Sequence, residues 1–289
     1  MEDILESIGD AIHEFFVDVC GGMFLGIFDD ANAATGDIAR QVGLTPSQWN
    51  GSIFNMIQNL SNNVVVPIAG MIITFVLCYE LITTITEKNN MHDVDTFIFF
   101  KYVFKACVAV FLLSHTFEIT MAIFDVGQWI VNQAATSITN DTFVDVTSVY
   151  IQFRDSLDAL GTGELIALML EVAVVSLAVK AIAILVSVVL INRMIEIYLY
   201  CSIAPIPFAT MTNREWGNIG TNYIRSLLSL AFQGLFIMVI VGIYSALVKD
   251  ILIVTNLHLM LMRIAMYSIV LCLTLFKTSS ISKSIFNAH

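Results

Sequence analysis

Apolar residues fill long stretches of this chain, and polar residues gather between them. A helix needs about 20 residues to cross a hydrocarbon core roughly 30 Å thick. Five stretches reach about that length, at residues 64–85, 96–119, 164–190, 226–248 and 251–276. The pattern therefore predicts an all-α, polytopic integral membrane protein with about five transmembrane helices in a domain covering residues 64–289.

Residues 1–63 follow a different pattern. Apolar side chains recur at helical spacing from Ile4 to Val19, which is typical of an amphipathic helix. The polar side is acidic, since residues 1–40 contain nine carboxylates and a single base, Arg40. Such a helix suits a protein partner better than anionic lipid. With a turn-rich stretch and a short apolar stripe after it, the segment predicts an extracytoplasmic cap of short amphipathic helices.

Residues 194–211 leave the number of spans open, because Pro205 and Pro207 interrupt an apolar run of spanning length. The excess of Lys and Arg in cytoplasmic loops separates the two models. With the amino terminus outside, five spans place eight of these residues inside and three outside, whereas six spans place five inside and six outside. We therefore expect a re-entrant or interfacial segment at 194–211 and a cytoplasmic carboxyl terminus.

Several charged residues lie in or near the predicted spans. They are Glu80, Lys101, Lys105, Glu118, Glu171, Lys180 and Arg263. A lone charge at bilayer depth costs about 2.5–3.5 kcal/mol on insertion scales, so each should face protein, water or another charge. They form either a polar pathway or structural pairs that fix the register of the helices.

Depth and helix geometry limit the pairs. Glu80 lies at a similar depth to Lys101 and Lys105, so we expect pairing across the first hairpin. Glu171 and Lys180 are nine residues apart, which at about 100° per residue places them on opposite faces of one helix. For Arg263, Glu171 and Glu118 both remain possible counter-ions, from another helix or a neighbouring subunit.

A short polar island from Met211 to Arg225 lies in the cytoplasm in the five-span model. Its glycines and asparagines indicate a turn-rich loop. We predict a partner-binding loop with Arg214, Glu215, Trp216 and Arg225 as its contact residues. Trp216 is either the anchor for a partner or an aromatic residue of the membrane interface.

No catalytic signature occurs in the chain. It contains no GxxxxGK[ST], HExxH, GxSxG or CxxC motif, and its five histidines are scattered. The net charge of −11 disfavours nucleic-acid binding through a basic surface. We expect no enzyme activity, no cofactor and no metal site, so any work must be energised by other proteins.

Several stretches together give the chain a family resemblance. They are the acidic helical start, Gly36–Ala39, Thr45–Asn50, Asn63–Gly70, Glu87–Asp93, Phe124–Val126, Val131–Ala134, Ile203–Phe208 and Glu215–Gly217. In this pattern the chain resembles the TrbL-like (VirB-six class) polytopic membrane subunit of conjugative type IV secretion systems, in the form found on Gram-positive mobile elements.

The resemblance implies a channel or scaffold subunit in the cytoplasmic membrane. It further implies a homo-oligomer that contacts secretion ATPases and bitopic membrane subunits and helps a relaxase-bound DNA strand leave the cell, with transient contact to that substrate. An alternative is a small-solute or ion transporter, or permease subunit, that uses Glu171, Lys180 and Arg263. A purely structural membrane anchor is a third hypothesis.

Overall fold

The computed structural model describes residues 2–87, 96–139, 146–211, 213, 215–251 and 256–288. All regular secondary structure in these ranges is helical, with one π-helical turn at Ser61–Val65. The α-helices are α1 (Glu2–Val42), α2 (Pro46–Trp49), α3 (Gly51–Leu60), α4 (Val66–Glu87), α5 (Thr96–Ser114), α6 (Thr116–Thr139), α7 (Val146–Asp158), α8 (Thr162–Ile203), α9 (Pro205–Thr210), α10 (Gly217–Ile251) and α11 (Leu257–Ile285).

Within the described residues, five helices are long and apolar enough to cross a membrane. They cover Glu6–Val42, Gly51–Thr86, Thr162–Ile203, Gly217–Ile251 and Leu257–Ile285. These helices confirm an all-α polytopic membrane protein. The set differs from the sequence prediction, because it includes α1 and leaves out 96–119 as a single span. A sixth candidate exists only if α5 and α6, which meet at 66°, together form one bent span.

The chain divides into two compact units. The first unit contains Met1–Val42, Asn132–Leu190 and Phe236–Lys277. The second contains Gly43–Val131, Ile191–Leu235 and Thr278–His289. Helices α6, α8, α10 and α11 contribute residues to both units, and each unit is described by itself below.

In the first unit, α1 is one continuous helix of 41 residues rather than the predicted short helix followed by turns. Its buried face includes Phe24, Ile27 and Phe28, and the Phe24 ring lies 4.6 Å from that of Phe153 in α7. Glycine inside a helix costs roughly 1 kcal/mol. Burial of several large apolar side chains outweighs that cost, so the helix continues through the glycines that suggested a turn.

The second half of α1 packs along α8. Residues Ala34–Gln41 line a small cavity together with Ala183–Leu190. This stretch of α8 belongs to the predicted span 164–190, so α1 accompanies a span helix instead of standing apart as a cap.

In the second unit, α3 and α4 join through the π-helical turn. Pro67 has no N–H to donate to the carbonyl four residues earlier, and its ring crowds that carbonyl. The Val66 N–H instead donates to the Ser61 carbonyl, five residues back. A π-helical turn accommodates this wider spacing, so the predicted boundary near residue 64 lies inside a continuous helix.

The predicted span 96–119 is broken at His115. Helix α5 ends at Ser114 and α6 begins at Thr116. The Thr116 hydroxyl donates to the carbonyls of Leu112 and Leu113 at 2.8 and 3.0 Å. Such back-bonding by Ser and Thr often bends helices. Helix α6 then continues to Thr139, well beyond residue 119, where the predicted span ends.

Candidate functional site

The polar cluster of the second unit centres on Glu80 of α4. The Lys105 ammonium of α5 lies 2.7 Å from the Glu80 Oε1, and the Asn213 Nδ2 donates to the Oε2 at 3.3 Å. The Glu80 and Lys105 side chains are 23% and 37% exposed, so the pair is only partly desolvated. Both carboxylate oxygens therefore have a donor, and one of these donors comes from the loop before α10.

Asn213 organises that loop. It is only 3% exposed, and its Oδ1 accepts the backbone N–H groups of Glu215 at 2.7 Å and Trp216 at 3.2 Å. The Gly217 N–H, at the start of α10, donates to the Asn213 carbonyl at 2.8 Å. A single buried amide thus shapes the turn and fastens it to Glu80.

Trp216 packs against α4. Its ring stacks on those of Phe75 and Tyr79, with both centroid distances 5.7 Å, and the Tyr79 hydroxyl donates to Glu215 at 3.2 Å. We predicted Trp216 as the contact for a partner or as an aromatic residue of the membrane interface. The structure adds a role within the chain, because these stacks hold the loop on the α4 helix.

The close approach of α10 to α9 requires a glycine. A Cβ on Gly220 would lie 2.6 Å from the Pro207 carbonyl oxygen and 2.0 Å from the Met211 Cγ. Helix α9 begins at Pro205, directly after the end of α8, and both prolines of this segment are buried. The helix break predicted at Pro205 and Pro207 thus provides a buried surface on which α10 begins.

Two partner-loop residues have exposed side chains in the structure, Glu215 and Arg225. Arg225 lies with Asn218, Thr221 and Asn222 along an open depression on α10. Arg214 lies outside the described residues. Exposed charge near this loop is therefore provided by Glu215 and Arg225.

The charges of the first unit form separate pairs. Glu171 of α8 pairs with His258 of α11, and Lys180 of α8 lies 3.8 Å from Asp30 of α1. The different partners agree with their predicted positions on opposite faces of α8. Glu171 is therefore engaged by His258 and does not neutralise Arg263, for which no described carboxylate of the first unit lies within ion-pair distance.

The two remaining charged positions do not join the Glu80 cluster. The Lys101 ammonium lies 4.8 Å from the centre of the Phe97 ring, a cation–π contact on its own helix. Of the two lysines predicted to pair with Glu80, only Lys105 does so. Glu118 is exposed in the first turn of α6.

The chain matches the model of a known protein family. Residues 31–205 fit the model of a family described as TrbL/VirB6 plasmid conjugal transfer like protein, which is more than half of the chain. The chain belongs to this TrbL/VirB6 family. No curated protein and no solved structure matches it. As a TrbL/VirB6-like protein it is a multi-pass membrane component of a conjugal transfer system.

The TrbL/VirB6 match covers only some of the charged and polar residues described above. Glu80, Lys105, Glu171 and Lys180 lie within the matched range, which ends at Pro205. The loop around Asn213 and Trp216 and the arginine at 263 lie beyond it. The contact between Asn213 and Glu80 therefore connects a loop outside the matched range to helices α4 and α5, which lie within it.

Sequence reasoning missed several residues that the structure brings together. Asn213 was recognised only as part of a polar island, and Glu196, which lies 2.8 Å from Lys283, was not considered. Arg193 is one of the eight basic residues that the five-span model places inside. It is only 6% exposed, and one guanidinium nitrogen lies 3.4 Å from the Leu230 carbonyl. The sequence signal for Arg193 and Glu196 was their position as polar residues directly after the long apolar run 164–190.

Among the described residues, no group of three or more His, Cys, Asp or Glu side chains has the arrangement of a metal site. The five cysteines are unpaired thiols, of which Cys20, Cys201 and Cys272 are buried. The organised chemistry of the second unit is thus ion pairing and hydrogen bonding that fasten a loop to a helical hairpin.

Proposed function

We propose that this protein is a channel or scaffold subunit of a conjugative type IV secretion system that helps a relaxase-bound DNA strand cross the cytoplasmic membrane. The observation that carries the proposal is the TrbL/VirB6 family match over residues 31–205 in a chain with five candidate spans. The proposed orientation has the amino terminus outside and the carboxyl terminus in the cytoplasm, as the positive-inside rule favours for the five spans predicted from the sequence.

The protein depends on partners for energy in this proposal. The sequence has no nucleotide-binding motif, and secretion ATPases together with bitopic membrane subunits provide the driving force and the remaining frame. The loop from Asn213 to Asn222 is the proposed ATPase contact. Its support is the exposure of Glu215, and of Arg225 just beyond it, on a loop that Asn213 and Trp216 hold in a fixed shape.

Deletion of the gene from its mobile element tests this function. Transfer of DNA to recipient cells should be lost, while relaxase nicking at the origin of transfer should continue, because a conduit acts after the substrate has been processed. Complementation with the intact gene is the control for effects on neighbouring genes. Normal transfer from the deletion strain would contradict the proposal.

The transporter hypothesis makes the opposite prediction about isolated protein. Vesicles containing this chain alone should then show solute or ion flux that is lost in a Glu171→Gln or Lys180→Met variant. A secretion subunit should show no such flux without its partners. The pairing of Glu171 with His258 and of Lys180 with Asp30 favours structural roles for both residues.

A further inference from the structure

Arg263 of α11 lacks a counter-ion within the first unit. The residue is half-buried in a helix that is apolar and long enough to cross a membrane. No described carboxylate of this unit reaches its guanidinium. A charge at bilayer depth is costly unless it meets an opposite charge or water, so the described part of the first unit leaves this cation without an opposite charge.

One exposed side of α1 contains acidic and small side chains. Asp18, Gly22, Asp29, Ala33 and Asp37 are all exposed, and their spacing places them within about 100° around the helix. We refer to this exposed side as the α1 acidic face.

The acids of the α1 acidic face differ in their partners. Asp18 lies 3.8 Å from Arg154, and Asp37 lies 2.9 Å from Arg40. Asp29 forms no ion pair with a described cation of the first unit. Asp29 is therefore the acid of the α1 acidic face that has no ion-pair partner among the described residues of the first unit, and Arg263 is an unpaired base of α11.

Glycines make the same face open to another helix. A Cβ on Gly22 or Gly26 would meet nothing within 4 Å, so packing inside the chain does not require glycine at either position. Small residues four apart permit the close approach of a second helix in a membrane. By contrast, α11 presents the bulky exposed side chains of Met262 and Met266 beside Arg263.

Asp29 and Arg263 lie at similar levels along the first unit. Asp30 is beside Lys180 and His258 is beside Glu171. Glu171 is near the start of α8, with nine residues of the helix before it, and His258 is near the start of α11. An α11 that ran in the opposite direction would soon pass the end of α8, so α11 lies beside α8 across the membrane only if the two helices run in the same direction.

The position of each residue along α8 follows from the helical rise. Lys180 lies about 13.5 Å beyond Glu171, and Arg263 lies about 7.5 Å beyond His258, at 1.5 Å per residue. Asp30 lies beside Lys180, and the later residues Ala34–Gln41 line a cavity with the later residues Ala183–Leu190, so α1 runs in the same direction as α8. Asp29 and Arg263 are therefore within about one helical turn of the same level.

We propose that the α1 acidic face binds the Arg263 side of α11 in a second copy of this chain, with Asp29 as the counter-ion of Arg263. The contact joins a small, acidic face to a bulky, basic one, so both shape and charge are complementary. Two different surfaces meet, which makes the interface heterologous and able to repeat around a ring. The evidence for this interface is the charge and shape of the first unit, so the proposal does not depend on the proposed secretion role.

Crosslinking between two differently tagged chains tests the interface. Both chains lack the five native cysteines; one carries Gly26→Cys and the other Met262→Cys, which leave Asp29 and Arg263 intact. A short bis-maleimide should join the two tags in membranes. The control pairs Gly26→Cys with Ile184→Cys, an exposed position on α8, and should give only background.

Charge changes then test the ion pair itself. Arg263→Glu on the Met262→Cys chain should lower the crosslinked yield by about tenfold or more, because like charges across an interface are strongly unfavourable. Adding Asp29→Arg to the Gly26→Cys chain should restore it. Asp29→Arg alone, at an exposed position, provides the same test of repulsion if the Arg263 variant does not accumulate.

Two results would overturn the proposal. One is the absence of crosslinking between the two tags when both chains are present in the membrane. This result would count against the interface even if Gly26→Cys reacted with an impermeant maleimide, since that reaction would show that its face lines water. The other is crosslinking that is equally strong with both charge variants. Recovery in the charge-swapped pair supports the proposal even if DNA transfer does not depend on this protein, which separates it from the proposed function.

Discussion

The Asn213 amide donates to the Glu80 carboxylate across 133 residues of sequence. The same side chain accepts two backbone N–H groups of its own loop. One residue therefore determines both the shape of the loop and its attachment to α4. This relationship makes the loop part of the helical framework rather than a free segment.

Replacing Asn213 with Ala should loosen the loop. The two N–H groups of Glu215 and Trp216 lose their acceptor and Glu80 loses a donor, so we expect a loss of about 1–3 kcal/mol of stability from these hydrogen bonds. The thermal midpoint of the detergent-solubilised protein should fall, and proteolysis near residue 213 should become faster.

Two further variants separate the contributions of Asn213. Asn218→Ala changes an exposed asparagine of the same region and should have little effect. Asn213→Asp keeps the acceptor for both N–H groups but places a carboxylate beside Glu80, so it should weaken the attachment to α4 while keeping the turn. Equal effects of Asn213→Ala and Asn218→Ala would contradict the assigned role.

The sequence predicts the fold class because long apolar runs have few alternatives in a membrane. Periodicity and residue type were less informative for α1, where glycines suggested a turn and buried phenylalanines such as Phe24 maintain the helix. Local patterns report propensity, whereas the packing of α1 against α7 and α8 depends on residues more than a hundred positions away.

The site was predictable only where topology limited the choices. The Glu80–Lys105 pair follows from two adjacent helices that place opposite charges at similar depth. Asn213 and Arg263 offered no such limit, since an amide in a loop and a single cation in a span each have many possible partners. Trp216 was predicted to contact a partner or the membrane interface. The sequence does not show that the rings of Phe75 and Tyr79, one helical turn apart on α4, stack against it.

Glu80 and Lys105 should show energetic coupling. Removing either charge leaves its partner partly buried without an opposite charge, so Glu80→Gln and Lys105→Met should each destabilise the protein. Pairs in contact have interaction energies of roughly 0.5–3 kcal/mol in double-mutant cycles, and partial exposure favours the lower half of that range. Unfolding midpoints of the single and double variants measure the coupling.

Lys101 provides the matched control for that cycle. It lies on the same helix but contacts Phe97, so Lys101→Met should act additively with Glu80→Gln. Coupling of Glu80 to Lys101 as strong as that to Lys105 would show that the observed pairing is not the one that matters for stability.

Gly220→Ala should strain the junction of α9 and α10. The new Cβ meets the backbone oxygen of Pro207 at 2.6 Å, which cannot move as easily as a side chain. Overpacking of this kind costs about 1–3 kcal/mol. Gly217→Ala is the control, because its Cβ would be 3.4 Å from the nearest atom, the Met211 oxygen. A thermal midpoint that falls equally in both variants would contradict the argument.

Trp216→Ala and Arg225→Ala should fail in different ways. Loss of two ring stacks, each worth about 0.5–1.5 kcal/mol, should make the loop at Trp216 sensitive to protease and lower the thermal midpoint. Trp216→Phe should restore most of that stability. Arg225 is exposed, so Arg225→Ala should leave both measurements unchanged but weaken crosslinking to the ATPase partner and reduce DNA transfer. If Arg225→Ala made the loop sensitive to protease, Arg225 would contribute to folding rather than to partner binding, against this prediction.

The orientation of the chain can be tested at two exposed serines, Ser7 of α1 and Ser284 of α11. For the five spans predicted from the sequence, the positive-inside rule favours an external amino terminus and a cytoplasmic tail carrying Lys277 and Lys283. In a cysteine-free background, Ser7→Cys should react with an impermeant maleimide in intact cells, and Ser284→Cys should react only after the membrane is permeabilised. Labelling of both positions from outside would put the two termini on the same side and restore an even number of crossings, against the proposed topology.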